Sequence, residues 1–151
     1  MKTRCDMVTV FVARKTHDKY EFLQLRRCAG DYMGGTWQTV RGLIEGDETA
    51  SHAALRELRE ETSLTPIEFY GLSSIDSFYT NVHQTIWHCP VFFAVVSGEI
   101  VLNDEHDDVR WVAEGAIDQS FMWSRERELI REIIRDILGN GLSRSHLRLP
   151  L

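Results

Sequence analysis

A mixed α/β (α+β) domain, with a mixed β-sheet sandwiched between helices, is the fold class this chain predicts. Three observations predict it: period-two alternation near the start, further strand-like runs in the middle, and two amphipathic helices set among them. Val8, Val10 and Val12 alternate with Thr9, Phe11 and Ala13, a β-branched strand pattern. His17-Asp18-Lys19 is a polar turn, after which Tyr20 to Leu25 reads as the returning strand of a hairpin, ending at Arg26 and Arg27. Residues 28–36 carry Gly30, Gly34 and Gly35 and read as a loop, and Trp37 to Val40 is a short strand running into Gly42. A helix is predicted over 49–62, with Thr49 as its N-cap. Ile67 to Tyr79 and Thr85 to Val96 read as strands separated by Thr80-Asn81-Val82-His83. Pro90 inside the second predicts an edge strand or a bulge. Asp108 to Val112 is a short strand. Ile130, Ile133, Ile134, Ile137 and Leu138 then recur at helical spacing, predicting a helix over 124–138 that Gly139-Asn140-Gly141 stops.

No repeat, low-complexity segment or linker interrupts the 151 residues, which are read as one domain, 1–151. The apolar and charged fractions are those of an ordinary globular protein. No stretch is long and apolar enough to span a membrane. Met1 to Asp6 lacks the apolar core of a secretory signal, so a cytoplasmic protein is expected. Cys5, Cys28 and Cys89 form no CxxC pair, which argues against a disulfide framework and a zinc site. The net charge of -6 argues against a protein held on nucleic acid by its backbone phosphates. A small nucleotide is a different matter, because a divalent cation can sit between an acidic site and an anionic ligand.

The informative stretch is Gly42 to Leu64, GLIEGDETASHAALRELREETSL. Glu57, Glu60 and Glu61 stand at i, i+3 and i+4, on one face of a helix. Like charges so spaced repel, and a cation relieves that repulsion; hard oxygen ligands suit Mg²⁺ or Mn²⁺. A solvated Glu/Arg face is the commoner meaning of an isolated ELREE. Here Ala54, Leu55 and Leu58 form an apolar stripe for packing, while Ala50 and Ala53 leave room for a ligand below the glutamates. Arg56 can reach Glu60, and Gly42 permits close backbone approach to a metal or phosphate.

These residues resemble the Nudix box, a signature of the MutT-like Nudix hydrolases. The box sets a Gly, five residues, Glu, seven residues, Arg-Glu, an aliphatic residue, one residue, Glu-Glu, one residue, Gly and an aliphatic residue. Gly42, Glu48, Arg56-Glu57, Leu58, Glu60-Glu61 and Leu64 occupy those positions, and only the late Gly is replaced, by Ser63. Asp104-Glu105-His106 ahead of Arg110-Trp111-Val112 looks like the acidic loop that many members carry. The lead-in Trp37-Gln38-Thr39-Val40 looks most like the dihydroneopterin triphosphate pyrophosphatase branch.

The resemblance implies Mg²⁺-dependent hydrolysis of a phosphoanhydride bond in a nucleoside triphosphate or nucleoside diphosphate derivative, with Mn²⁺ able to substitute. It implies Glu57, Glu60 and Glu61 as metal ligands, with the Gly42 carbonyl as a further one, and Glu48 and Arg56 as orienting residues. Glu61 and Glu105 both qualify as the general base. A house-cleaning enzyme for oxidised nucleotides, one for nucleotide sugars, and a non-catalytic nucleotide sensor are the rival readings. Arg26 or Arg27, but not both, can clamp phosphates, since strand alternation points them to opposite faces. Trp37, Phe78, Tyr79 and Trp87 are candidates for stacking on a base or pterin. His83, His88 and His106 read as polar strand-end residues. The tail 143–151, with Arg144, His146 and Arg148, is left to packing across a homodimer or to disorder.

Overall fold

Alternation in the strand Met7–Thr16 divides the molecule into two cores. The computed structural model describes residues 1–151, and in it Val8, Val10 and Val12 face one side of the sheet while Phe11 and Ala13 face the other. In chain order the strands are β1 (Lys2–Arg4), β2 (Met7–Thr16), β3 (Lys19–Arg27), β4 (Trp37–Gln38), β5 (Val40–Leu43), β6 (Glu68–Thr80), β7 (Thr85–Val95) and β8 (His106–Ala113). The helix α1 (Ala50–Thr62) lies between β5 and β6, and α2 (Ile117–Ser120), α3 (Ser124–Ile133) and α4 (Arg144–Leu147) follow β8. The sheet is mixed. β2 runs antiparallel to β3 and β5 and parallel to β7; β6 is antiparallel to β7, and β8 to β3.

Helices cover both faces. Ala53, Ala54 and Leu58 of α1 pack on Val8, Val10, Leu23, Leu25 and Val40. On the far face Leu129, Ile130 and Ile133 pack on Phe11, Phe22, Tyr70 and Phe93. Ala53 is fully buried and Ala50 packs against the same cluster. These two alanines therefore close a core rather than leave room for a ligand.

The helix end-points follow local chemistry. Thr49 caps α1, its Oγ1 accepting from the His52 N–H at 3.2 Å. At the other end Ser63 is left-handed, with φ 63°, where a glycine would be unstrained. Its N–H still donates to the Arg59 carbonyl, and its hydroxyl donates to the Val101 carbonyl at 3.0 Å, ties that hold the serine in place. The C-terminal helix reaches Leu138 as expected, but its last turn, Ile134–Leu138, widens to a π-turn before Gly139.

Pro90 sits otherwise than expected, on neither an edge nor a bulge of its own strand. β7 is interior, with β6 on one side and β1 and β2 on the other. The proline falls between the stretch paired with β1 (85–87) and that paired with β2 (91–95), where its missing N–H breaks neither ladder. The irregularity lies opposite it, in β6 between Gly71 and Ile75, and not in the proline's own strand, where the sequence predicts the bulge. The tail is ordered against its own sheet. Arg148 bridges Tyr70, the Leu149 N–H donates to the Phe69 carbonyl at 2.8 Å, and Arg148 pairs with Glu68 at 2.8 Å.

Candidate active site

Packing of α1 on the first core turns Glu57 and Glu61 inward, because they follow Ala53 and Ala54 around the helix by one and two turns. Both are buried, at 7 % and 2 % exposure, which is rare for glutamate unless it is paired. Glu60 lies on the exposed flank of the same helix and pairs with Arg56 at 3.2 Å. The three glutamates thus share a helix side but not an environment.

Arg56 organises the neighbourhood. Its guanidinium donates to Glu48 at 2.6 Å, to Glu57 at 2.8 Å, to Glu60 at 3.2 Å and to the Leu43 carbonyl at 2.8 Å. Those bonds, that to Glu48 above all, hold Arg56 above the ordinary arginine range. The same bond holds Glu48 below the ordinary carboxylate range, and Glu48 also accepts from the Glu45 N–H at 2.8 Å. Glu48 and Arg56 are therefore an ionised clamp joining the loop before α1 to its middle.

Gly42 is shaped by Glu57. A Cβ on residue 42 would lie 1.9 Å from Cδ of Glu57, so the room that glycine leaves is filled by a carboxylate.

Burial raises Glu57, which the bond from Arg56 partly offsets. Burial raises Glu61 well above its usual value, reinforced by the negative charges of Glu57 and Glu105. Glu61 Oε2 has no hydrogen-bond partner although it is shut off from solvent. An uncompensated carboxylate in such a place is costly, and a cation or a proton is what relieves it.

Glu105 and His106 meet this helix from the start of β8. One ligand atom each of Glu61, Glu105 and His106 lies within 4.8 Å of the others. His106 is 4 % exposed, with Nδ1 3.5 Å from Glu61 Oε1 and without a hydrogen bond. Burial lowers it to about 4. It is the first residue of β8, the strand-end place the sequence gives it, but it is buried, and no local pattern marks a histidine that β3–β8 pairing brings to Glu61, 45 positions away in the chain.

The two arginines divide as alternation requires. Arg27 exerts its positive charge on both Glu61 and His106 and donates to the Tyr32 carbonyl at 2.8 Å. Arg26 instead pairs with Asp107 at 2.7 Å and lies over Trp37, which Arg110 also covers. Two guanidinium groups thus lie against the Trp37 ring, Arg110 the nearer at 4.2 Å from its centre. Tyr79 is about half exposed beside the β6–β7 turn and bonds Asn81, outside the carboxylate cluster. The rings of Tyr32 and His83, 5.5 Å apart, join the loop 28–36 to that turn. Beside Leu43 runs a groove of about 410 Å³ lined by Lys2, Arg4, His83, Thr85 and Trp87, with Arg4 over the Trp87 ring and Phe78 stacked on it.

A second buried polar group was not anticipated. Arg41, next to Gly42, reaches Asp76 at 3.1 Å and Glu126 at 3.3 Å, and Thr9 donates to Asp76 at 2.8 Å. These residues are far apart in sequence, and only the fold assembles them.

Comparison with known proteins agrees with this geometry. The profile of the NUDIX domain matches residues 4–133. The mutator protein MutT4 of Mycobacterium tuberculosis is 32% identical over 113 residues, 70% of this chain and 45% of that protein. The 8-oxo-dGTP diphosphatase of Escherichia coli is 31% identical over 71 residues, 47% of this chain and 55% of that one. This chain therefore spans about half the length of these two curated relatives. Among solved structures, a protein of Listeria monocytogenes assigned to the NUDIX hydrolases superposes with a TM-score of 0.74 at 27% identity, covering 91% of this chain and 97% of its own.

Proposed function

The chain belongs to the NUDIX domain family, and from that membership we propose that it hydrolyses a phosphoanhydride bond in a nucleoside triphosphate or a related nucleoside diphosphate derivative, in a Mg²⁺-dependent reaction. One observation carries the reading: Glu61 is buried with an unpartnered oxygen, close to Glu105 and within the field of Glu57. That donor set fits a hard divalent cation, because oxygen ligands converge where an unpaired charge otherwise stands uncompensated. Glu57, Glu60, Glu61 and the Gly42 carbonyl would hold it, with Mn²⁺ able to replace Mg²⁺. A cation bound there supplies positive charge against the phosphates.

The chain's own residues do the rest. Arg56 and Glu48 fix the carboxylates, so little reorganisation remains when substrate binds. Arg27, on the side of Glu61, is placed to contact phosphate, while Arg26 is committed to Asp107. Water attacks phosphorus, the anhydride oxygen leaves, and the water proton passes to a carboxylate, with Glu61 and Glu105 the two candidates. Lys2, Arg4 and Trp87 line a groove suited by charge and aromatic surface to the rest of such a substrate. Dihydroneopterin triphosphate is the compound we place first, on the lead-in Trp37 to Val40; Trp37 and Tyr79 are its aromatic contacts in this reading. The whole of 1–151 acts as one domain.

The test is release of pyrophosphate and phosphate with Mg²⁺ from nucleoside triphosphates, 8-oxo-dGTP, dihydroneopterin triphosphate and nucleotide sugars, beside Glu61→Gln. Turnover by the wild type and its loss in the variant support the reading. A folded wild type that hydrolyses none of them, yet binds one, is a nucleotide sensor.

A further inference from the structure

Two buried side chains, each with an unpartnered polar atom, meet at the Glu105 end of the carboxylate cluster. Glu61 Oε2 and His106 Nδ1 both lack hydrogen bonds, and both side chains are more than nine-tenths buried. Two orphans side by side are uncommon in a folded interior, where nearly every buried polar atom is paired. His106 Nδ1 approaches the other Glu61 oxygen, Oε1, to 3.5 Å, too far for a good hydrogen bond. Glu105 adds an exposed carboxylate from the same loop, and all three ligand atoms fall within 4.8 Å. One ion with bonds of roughly 2.0–2.3 Å reaches all three after small side-chain shifts.

We propose that His106 is a metal ligand, and that Glu61, Glu105 and His106 form a mixed nitrogen–oxygen site for a first-row transition dication such as Mn²⁺. The inference rests on the metal-dependent reading above and narrows it, by adding a donor that Mg²⁺ does not favour. Imidazole nitrogen strengthens binding along the transition series, whereas Mg²⁺ keeps to oxygen and water. Each carboxylate needs only one oxygen for the ion, so a second oxygen stays free to take a proton. Arg27 faces the same cluster and opposes the ion's charge, a reason to expect selectivity from ligand type rather than great affinity.

The experiment is pulsed electron paramagnetic resonance of Mn²⁺ bound to the full chain, unlabelled and with ¹⁵N-labelled histidine. Mn²⁺ affinity is measured by direct titration in parallel, without substrate. A directly bound nitrogen appears as a modulation that changes on labelling. His106→Asn should abolish it and weaken Mn²⁺ about 10–100-fold, while Mg²⁺ binding changes less than about threefold. Should that variant misfold, the labelled wild type decides alone. Mn²⁺ that binds with no histidine coupling overturns the nitrogen ligand and leaves the carboxylate site standing. No Mn²⁺ binding by titration overturns both.

Discussion

The carboxylate of Glu57 fills the space that a side chain on Gly42 would take: a methyl group on residue 42 would fall 1.9 Å from the Glu57 Cδ. The blocking group is the end of a side chain, so Gly42→Ala should fold, with Glu57 displaced from the cluster. The expected result is metal affinity about 10–100-fold weaker and a stability loss of about 1–3 kcal/mol. Isothermal titration with Mn²⁺ and urea unfolding measure the two. Wild-type affinity in the variant would show that Glu57 does not need this position.

Arg56→Lys keeps the charge and loses the fork that serves Glu48, Glu57 and Leu43 together. Stability should fall by about 2 kcal/mol and metal affinity by about an order of magnitude. An unchanged urea midpoint would mean that the clamp is ornamental.

Glu61 links stability to pH with a definite sign. Its carboxyl is raised in the fold, so its contribution is fully present below the usual value of 4.5 and is lost as pH rises through the raised value. In chelator, Glu61→Gln should therefore melt roughly 3–6 °C above wild type at pH 8, the shift that about 1–2 kcal/mol produces in a chain of this size. The two should converge near pH 4.5. Divalent cation should raise the wild type alone at pH 8. A variant less stable than wild type in chelator at pH 8 contradicts the burial argument.

Thr49→Ala tests the helix apart from the chemistry. Removing the cap should cost about 1 kcal/mol, or roughly 2–4 °C by circular dichroism, with metal affinity unaltered. A large loss of affinity would show that the cap also sets the carboxylates.

How much could be read in advance follows from where each signal lies in the chain. The α1 helix, its cap and its left-handed end at Ser63 are local, written in residues a few positions apart. The clamp was legible only in part: Arg56 with Glu60 follows from helical spacing, but Arg56 with Glu48 needs the loop to turn back. His106 carried no signal, since its meaning comes from Glu61 across the strand pairing. The Arg41–Asp76–Glu126 group is of the same kind. Ala53 misled because the stripe that packs is wider than the one drawn from Ala54, Leu55 and Leu58. Pro90 misled because the rule concerns a missing donor, and a gap between two partner strands satisfies it as well as an edge does.

β6 is bonded along one side only, to β7, and an unpaired strand side is a template for a strand of another molecule. At Phe69 and Tyr70 that side is taken by Arg148 and Leu149 of the same chain. Further along, the irregularity between Gly71 and Ile75 spoils the straight run of groups that an incoming strand would need. The last residues thus work as a guard against edge-to-edge association. A copy that paired through this part of β6 would first have to unseat its own C-terminus.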